Sequence, residues 1–360
     1  MSLPSDSPVI KRSMPRQLPA SARSLADFFA RALSSFQNSS SKLQIICTVA
    51  PTQQHHGGPP PQGDDQPAPL PPRSRPRTLI VLDSSFNPPT RAHLRMATSA
   101  IHDLTHKHGQ RLGTLRLLLL LSINNADKGL KPAAFDKRLA MMWAFARDVQ
   151  HSLRGNEHGS ASVDGPDGSS DAEEEALSVD LGLAKMPYFH EKSAALAGLD
   201  FYKGTDEGLG DGVGDTEQVF LVGYDTLIRI FNPKYYGPPV ESAAQLASSE
   251  PSPMWKALGP FFGRAKLRVI MRTGDEWGDE EQQRTYLENL LKAEGLGKVL
   301  GSQDLGSRIE MVEGRRVGED VISSTLARAA AKARDGDRLD LMVTAGVRWW
   351  MEQEDLYTEP

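Results

Sequence analysis

Apolar residues in this chain fall into two rhythms. Short runs at 79–82, 115–123, 179–183, 219–222 and 267–271 are rich in Val, Ile and Leu. Between them Leu94, Ala97, Ile101 and Leu104 recur at helical spacing, and a second helical pattern covers 135–149. Near-continuous apolar runs alternating with helices predict strands buried on both faces. The expected class is α/β, a doubly wound parallel sheet of Rossmann-like order. Upstream, Ser24 precedes Leu25, Phe28, Phe29, Leu33 and Phe36, an apolar stripe with a serine cap, and 43–49 reads as a short strand. This helix–strand element near 24–49 is expected to dock on the main domain.

Composition adds boundaries. Thirteen of the 25 prolines lie in residues 1–76, and the Pro/Gly/Gln tract at 55–72 has too little apolar surface to fold alone. The expected division is a largely disordered region over 1–77, apart from the 24–49 element, and one domain over 78–360. Loop insertions are expected at 156–175, with seven acids and no Lys or Arg, and at 203–217, where five glycines alternate with acids. A third, rich in Pro, Ser and Ala, is expected at 237–253. Neither acidic stretch has calcium-loop spacing.

Charge and cysteine usage narrow the function classes. A net charge of −5 over 360 residues argues against a general nucleic-acid binder. The single cysteine, Cys47, excludes a disulfide framework within the chain and a multi-cysteine zinc site, and no resident metal site is expected. The purest apolar run, 117–121, is too short to span a bilayer. Residues 1–36 carry five basic side chains, but Asp6 and Asp27 weigh against a mitochondrial presequence. Cytoplasm or nucleus is the expected location, with mitochondria second; homo-oligomerisation is left open.

Phosphate loops of the G-x-x-x-x-G-K-[ST] type, H-E-x-x-H and G-x-S-x-G are all absent. What remains is the turn after the first main-domain strand, Asp83-Ser84-Ser85-Phe86-Asn87-Pro88-Pro89-Thr90-Arg91-Ala92-His93-Leu94. Two prolines forbid helix and predict an extended path; Thr90 can then cap a helix with His93 in its first turn. Such a turn sits at the carboxyl end of its strand, where doubly wound sheets bind ligands. Free N–H groups and a first-turn histidine make it an anion site. Taken alone, T-x-x-H reads equally as a capped helix with a surface histidine. A second candidate, Ile322-Ser323-Ser324-Thr325-Leu326-Ala327-Arg328, clusters three hydroxyls at a helix start with a guanidinium one turn later. No Glu or Gln at 327 completes a capping box, so the serines are expected to need another partner.

The first segment resembles the G-S-F-N-P-x-T-x-x-H-L signature of the nucleotidylyltransferase superfamily, in its nicotinamide/nicotinate mononucleotide adenylyltransferase form. Ser84 stands where that family has glycine. Ile322–Arg328 resembles the family's I-S-S-T-x-x-R. Asn124-Asn125-Ala126-Asp127-Lys128, with Lys131-Pro132, resembles V-N-D-A-Y-K, and Val222-Gly223-Tyr224-Asp225 resembles the G-x-D motif. The Pro-rich head and the Val81–Thr90 stretch resemble a divergent fungal, promotion-of-filamentation-like branch, in which Ser84 is an ordinary feature. The resemblance covers about 78–360.

The resemblance implies attack of a mononucleotide phosphate on the α-phosphorus of ATP, with pyrophosphate leaving. His93 would donate to the α-phosphate, Lys128 would neutralise the attacking phosphate, and Ser323, Ser324, Thr325 and Arg328 would hold the β- and γ-phosphates. Ser84, Ser85, Phe86, Thr90, Gly223 and Asp225 would complete the ATP site, and Mg²⁺ would accompany ATP largely through water. For the mononucleotide, Asn87 and Lys128 come with the motifs. Tyr235, Tyr236 and Trp255 are candidates for stacking on a pyridinium ring, although packing explains each equally well. Trp349 and Trp350, in a closing helix expected to end at Tyr357, read as packing. An ATP-binding or ATP-hydrolysing partner protein of the same fold, and a cytidylyltransferase, are the alternatives.

Overall fold

The apolar runs become strands of one seven-stranded sheet. In the computed structural model the described residues are 20–51, 67–124, 133–157, 176–205, 215–237, 252–273, 277–292, 305–315 and 318–358. Lys128, Lys131, Pro132 and most of the three expected insertions lie outside them. The strands are β1 (Leu43–Val49), β2 (Thr78–Asp83), β3 (Leu115–Ser122), β4 (Ser178–Ala184), β5 (Glu217–Gly223), β6 (Ala265–Ile270) and β7 (Ile309–Val312), in the order β1-β4-β3-β2-β5-β6-β7. All neighbours pair in parallel except β1, which runs antiparallel to β4. This is the doubly wound α/β class with an antiparallel edge strand. The order of connection reverses between β2 and β5, which opens a crevice beyond their carboxyl ends.

Ten α-helices are described: α1 (Ala20–Asn38), α2 (Arg91–His102), α3 (Phe135–Glu157), α4 (Phe189–Ala197), α5 (Tyr224–Ile230), α6 (Pro253–Arg264), α7 (Glu280–Lys292), α8 (Ser324–Ala333), α9 (Gly336–Met342) and α10 (Ala345–Gln353). They cover both faces. Phe29, Phe36, Phe145, Val347 and Trp350 pack on one side of the sheet, and Phe220, Phe261, Phe262 and Leu258 on the other. The five leucines at 117–121 have no exposed surface, and burying such a side chain is worth roughly 1.5–3 kcal/mol. That is why β3 carries no polar alternation.

The upstream element docks through β1. Its sheet edge is sealed by residues 67–72, with Thr48 N–H donating to the Ala68 carbonyl at 2.9 Å and the Leu70 N–H to Thr48 Oγ1 at 3.0 Å. Beneath it, Asp180 of β4 is wholly buried and accepts from Arg116 Nε at 3.0 Å and Nη2 at 2.8 Å, from Thr48 at 2.7 Å and from Tyr202 at 3.1 Å. Burial nevertheless holds the Asp180 pKa above the usual carboxylate range.

Several expectations are corrected. Ser24 is no cap: α1 begins four residues earlier, at Ala20, and the serine lies on its surface. The closing helix stops at Gln353, because Asp355 (φ 48°) and Tyr357 (φ 68°) take left-handed conformations that fold the tail inward. The turn after β2 is not simply extended: Phe86 is left-handed (φ 42°) and the Asn87–Pro88 peptide is cis. The short β7 went unforeseen, since its four residues mix buried, exposed and half-buried positions.

Candidate active site

A cleft of about 470 Å³ lies at the crevice between β2 and β5. Its floor is the end of β2 and the following turn, its walls the starts of α2, α4, α5 and α8, so the N-termini of two longer helices, α2 and α8, reach into it. Ser84, Ser85, Thr90, His93, Gly223, Asp225, Tyr235, Tyr236, Ser323 and Ser324 all line it.

His93 is fixed in both position and protonation. Thr90 caps α2, and its backbone N–H donates to His93 Nδ1 at 3.0 Å, with the Thr90 hydroxyl 2.9 Å from the same nitrogen. Nδ1 is therefore an acceptor, which places the ring proton on Nε2. Nε2 faces Ser84 Oγ at 2.9 Å. Deep placement over Phe86, with ring centroids 5.5 Å apart, lowers the His93 pKa to about 4. The ring at neutral pH is thus an uncharged hydrogen-bond donor aimed into the cleft, beside a helix N-terminus that favours anions.

The two distant motifs are tied to one another. Ser324 Oγ donates to the Pro88 carbonyl at 2.8 Å, and Arg328 Nη1 to the Asn87 carbonyl at 2.7 Å. Arg328 Nη2 also reaches Thr325 Oγ1 at 3.2 Å. Neither Arg328 nor Thr325 is among the residues that line the cleft; Arg328 ties the turn, and the exposed Thr325 accepts from Arg328. Ser323 does cap α8, accepting from the Leu326 N–H at 3.2 Å, so the serines find partners within the protein despite the missing capping box.

Three further candidates are placed elsewhere than expected. Phe86 is fully buried and supports His93 from below. Asn87 is 1% exposed; its Oδ1 accepts from the Tyr357 hydroxyl at 2.7 Å, so its side chain does not reach the cleft. Trp255 is buried in α6 against Phe231, at 6.1 Å between centroids. Tyr235 and Tyr236 do reach the cleft, and Tyr188 joins them: its ring lies 6.4 Å from Tyr235 and stacks at 5.7 Å on His190, which meets Tyr236 at 5.6 Å.

At the opposite wall Gly223 ends β5 so tightly that a Cβ there would lie 2.7 Å from Asp225 Oδ1. That oxygen accepts from Arg272 Nη1 at 3.1 Å. Arg272, Arg315 and Lys192 line the cleft and carried no motif, and Asp83, within the Val81–Thr90 stretch, lines it although the resemblance assigns it no role. For Asp83 and Arg272 a usable signal existed, a charged residue at the carboxyl end of a buried parallel strand. Arg315 donates to the Glu319 and Thr273 carbonyls at 2.7 and 2.9 Å, which depends on loop closure and leaves no trace in local sequence.

No family profile matches the chain. Among curated proteins, one of Schizosaccharomyces pombe named "Putative nicotinamide mononucleotide adenylyltransferase" is 31% identical over 217 residues, 60% of this chain and 62% of that protein. The chain thus aligns with somewhat under two thirds of that relative's length. Among solved structures, Plasmodium falciparum nicotinic acid mononucleotide adenylyltransferase complexed with NaAD superposes over 78% of this chain and 97% of its own, at 13% identity and a TM-score of 0.40. The same enzyme complexed with APC gives 12% identity over the same shares and a TM-score of 0.39.

Proposed function

We propose that this protein transfers the adenylyl group of ATP to nicotinamide or nicotinate mononucleotide, releasing pyrophosphate. The observation that carries the reading is the His93 arrangement: a neutral imidazole, its tautomer set by Thr90, presenting Nε2–H beside the start of α2. The sequence relative named above supports the same reaction class.

Displacement at the α-phosphorus asks little covalent work of a protein; positioning and charge stabilisation supply the rate. His93 would donate to a non-bridging α-phosphate oxygen as charge accumulates, with the Ser84 hydroxyl turning from Nε2 to the ligand. The N–H groups at the starts of α2 and α8, with Arg315 nearby, would meet the triphosphate. Arg328 and Ser324 act at one remove by holding the Asn87–Pro88 backbone in place. Lys128 is assigned to the acceptor phosphate by the motif resemblance. The aromatic wall of Tyr188, Tyr235 and Tyr236 suits a flat cationic ring.

Mg²⁺ would travel with ATP. Among the described residues no three His, Cys, Asp or Glu side chains group closely enough to hold an ion. The donor set fits a cation bound chiefly by phosphate oxygens and water, with Glu313 and Asp320 on the cleft wall able to accept from that water. The deciding experiment incubates the protein with ATP, Mg²⁺ and each mononucleotide. Stoichiometric dinucleotide and pyrophosphate are expected. ADP and phosphate alone would replace the reading with ATP hydrolysis, and product formed only with CTP and a phospho-alcohol would make the protein a cytidylyltransferase.

A further inference from the structure

Behind the aromatic wall, the cleft floor carries an ion pair that none of the motifs contains. Asp83 is the last residue of β2 and Lys192 lies in the first half of α4. Lys192 Nζ donates to Asp83 Oδ2, and Ser122 Oγ to Asp83 Oδ1 at 3.3 Å. Both side chains line the cleft, yet their exposures are only 3% and 7%. A pair this deep loses most of its hydration, and removing either partner alone would strand the other charge. Packing gives no reason for such a pair at the floor of an open cleft, where apolar side chains would serve the fold as well.

Its location relative to the rings gives one. The Lys192 N–H donates at 3.1 Å to the carbonyl of Tyr188, the N-cap residue of α4, and both side chains line the cleft. Lys192 Nζ also stands 5.2 Å from the centre of the Phe189 ring. Tyr188, Asp83 and Lys192 border one cleft, so a flat heterocycle placed on Tyr188 can turn one edge toward the ion pair. The pair offers a donor and an acceptor side by side with no net charge. A carboxamide matches this: its oxygen accepts from Lys192 and its NH₂ donates to Asp83. A carboxylate at the same position gains Lys192 but meets Asp83 as a like charge with nothing to donate.

We propose that Asp83 and Lys192 are specificity-determining residues that select an acceptor bearing a carboxamide over one bearing a carboxylate. This rests on the mononucleotide reading above. The test measures kcat/KM and, separately, calorimetric binding for nicotinamide mononucleotide and nicotinate mononucleotide, on the full chain. The wild type favours the amide by about tenfold or more, the scale of one net hydrogen bond gained. Asp83→Asn removes the repelling charge and leaves the cation, so the ratio moves toward the acid by at least about tenfold. Since that variant strands a buried ammonium, the double variant Asp83→Asn/Lys192→Met is made beside it; it brings the ratio close to one. Unchanged ratios in the folded variants overturn the proposal, as does binding of neither mononucleotide to the wild type. A shifted binding ratio without dinucleotide product upholds the role of the pair and overturns adenylyl transfer alone.

Discussion

One histidine ring carries most of the proposed chemistry, and its neighbours state what it can do. With Nδ1 accepting from Thr90, only Nε2–H is available, so His93 donates and does not act as a base. His93→Ala should lower turnover by about 10²–10³-fold, the usual cost of one lost transition-state donor, with the fold retained by circular dichroism. A rate equal to the wild type's would remove His93 from the site. The pH dependence follows from burial. The folded pKa, about 4, lies below the ordinary 6.5, so the unfolded chain takes up the proton first. The contribution of this residue to stability is intact above about 6.5 and is lost as the pH falls toward about 4. Titration of the ring by NMR should accordingly show no inflection near neutrality. Ser84 makes a further case. Its hydroxyl occupies the donor that a phosphate would use, at 2.9 Å. Ser84→Gly removes the hydroxyl that would turn to the ligand and should raise the KM for ATP by about three- to tenfold, the worth of one hydrogen bond; a lowered KM would mean that the hydroxyl only occupies Nε2.

At the scale of elements, strands buried on both faces announced themselves in the sequence, because nothing polar interrupts 79–82 or 117–121. The start of α2 was equally legible: proline rigidity and a threonine cap are local properties, and they put His93 where it is found. What failed to show was whatever depends on contact across the sheet. Arg328 reads as a phosphate ligand because a guanidinium after a serine cluster suits an anion, and nothing in that spacing announces its bond to the carbonyl of Asn87, 241 residues earlier. Asn87 itself is withdrawn from the cleft by Tyr357, which no spacing rule connects to it. Asp180 sits in a run otherwise read as apolar, and only the arrival of Arg116 and Thr48 from neighbouring strands explains it. Arg116→Met would leave that carboxylate buried without its cation and should cost about 3–5 kcal/mol, measurable by urea denaturation. A loss below about 1 kcal/mol would show that the other two donors satisfy Asp180 unaided.

Across the whole molecule, the cleft is assembled from pieces that are far apart in the chain. β2 and β5 contribute the crevice, α4 the aromatic and charged floor, and α8 the brace behind the turn. The C-terminal portion completes it: Lys137 pairs with Glu354 at 2.6 Å, and the Tyr357 hydroxyl donates to Asn87. Tyr357→Phe leaves a buried amide oxygen without its donor and should cost about 1–3 kcal/mol of stability. The same change should raise the KM for ATP more than it lowers kcat, because the turn loosens while His93 stays in place. Equal losses in both would place Tyr357 nearer the reacting atoms than its contacts suggest.

This long-range tie has an effect during synthesis. Asn87 leaves the ribosome well before its partner, which follows 270 residues later. Until that tyrosine emerges, the Asn87 amide oxygen lacks the donor it has in the finished fold, so the turn after β2 gains this tie only late in synthesis.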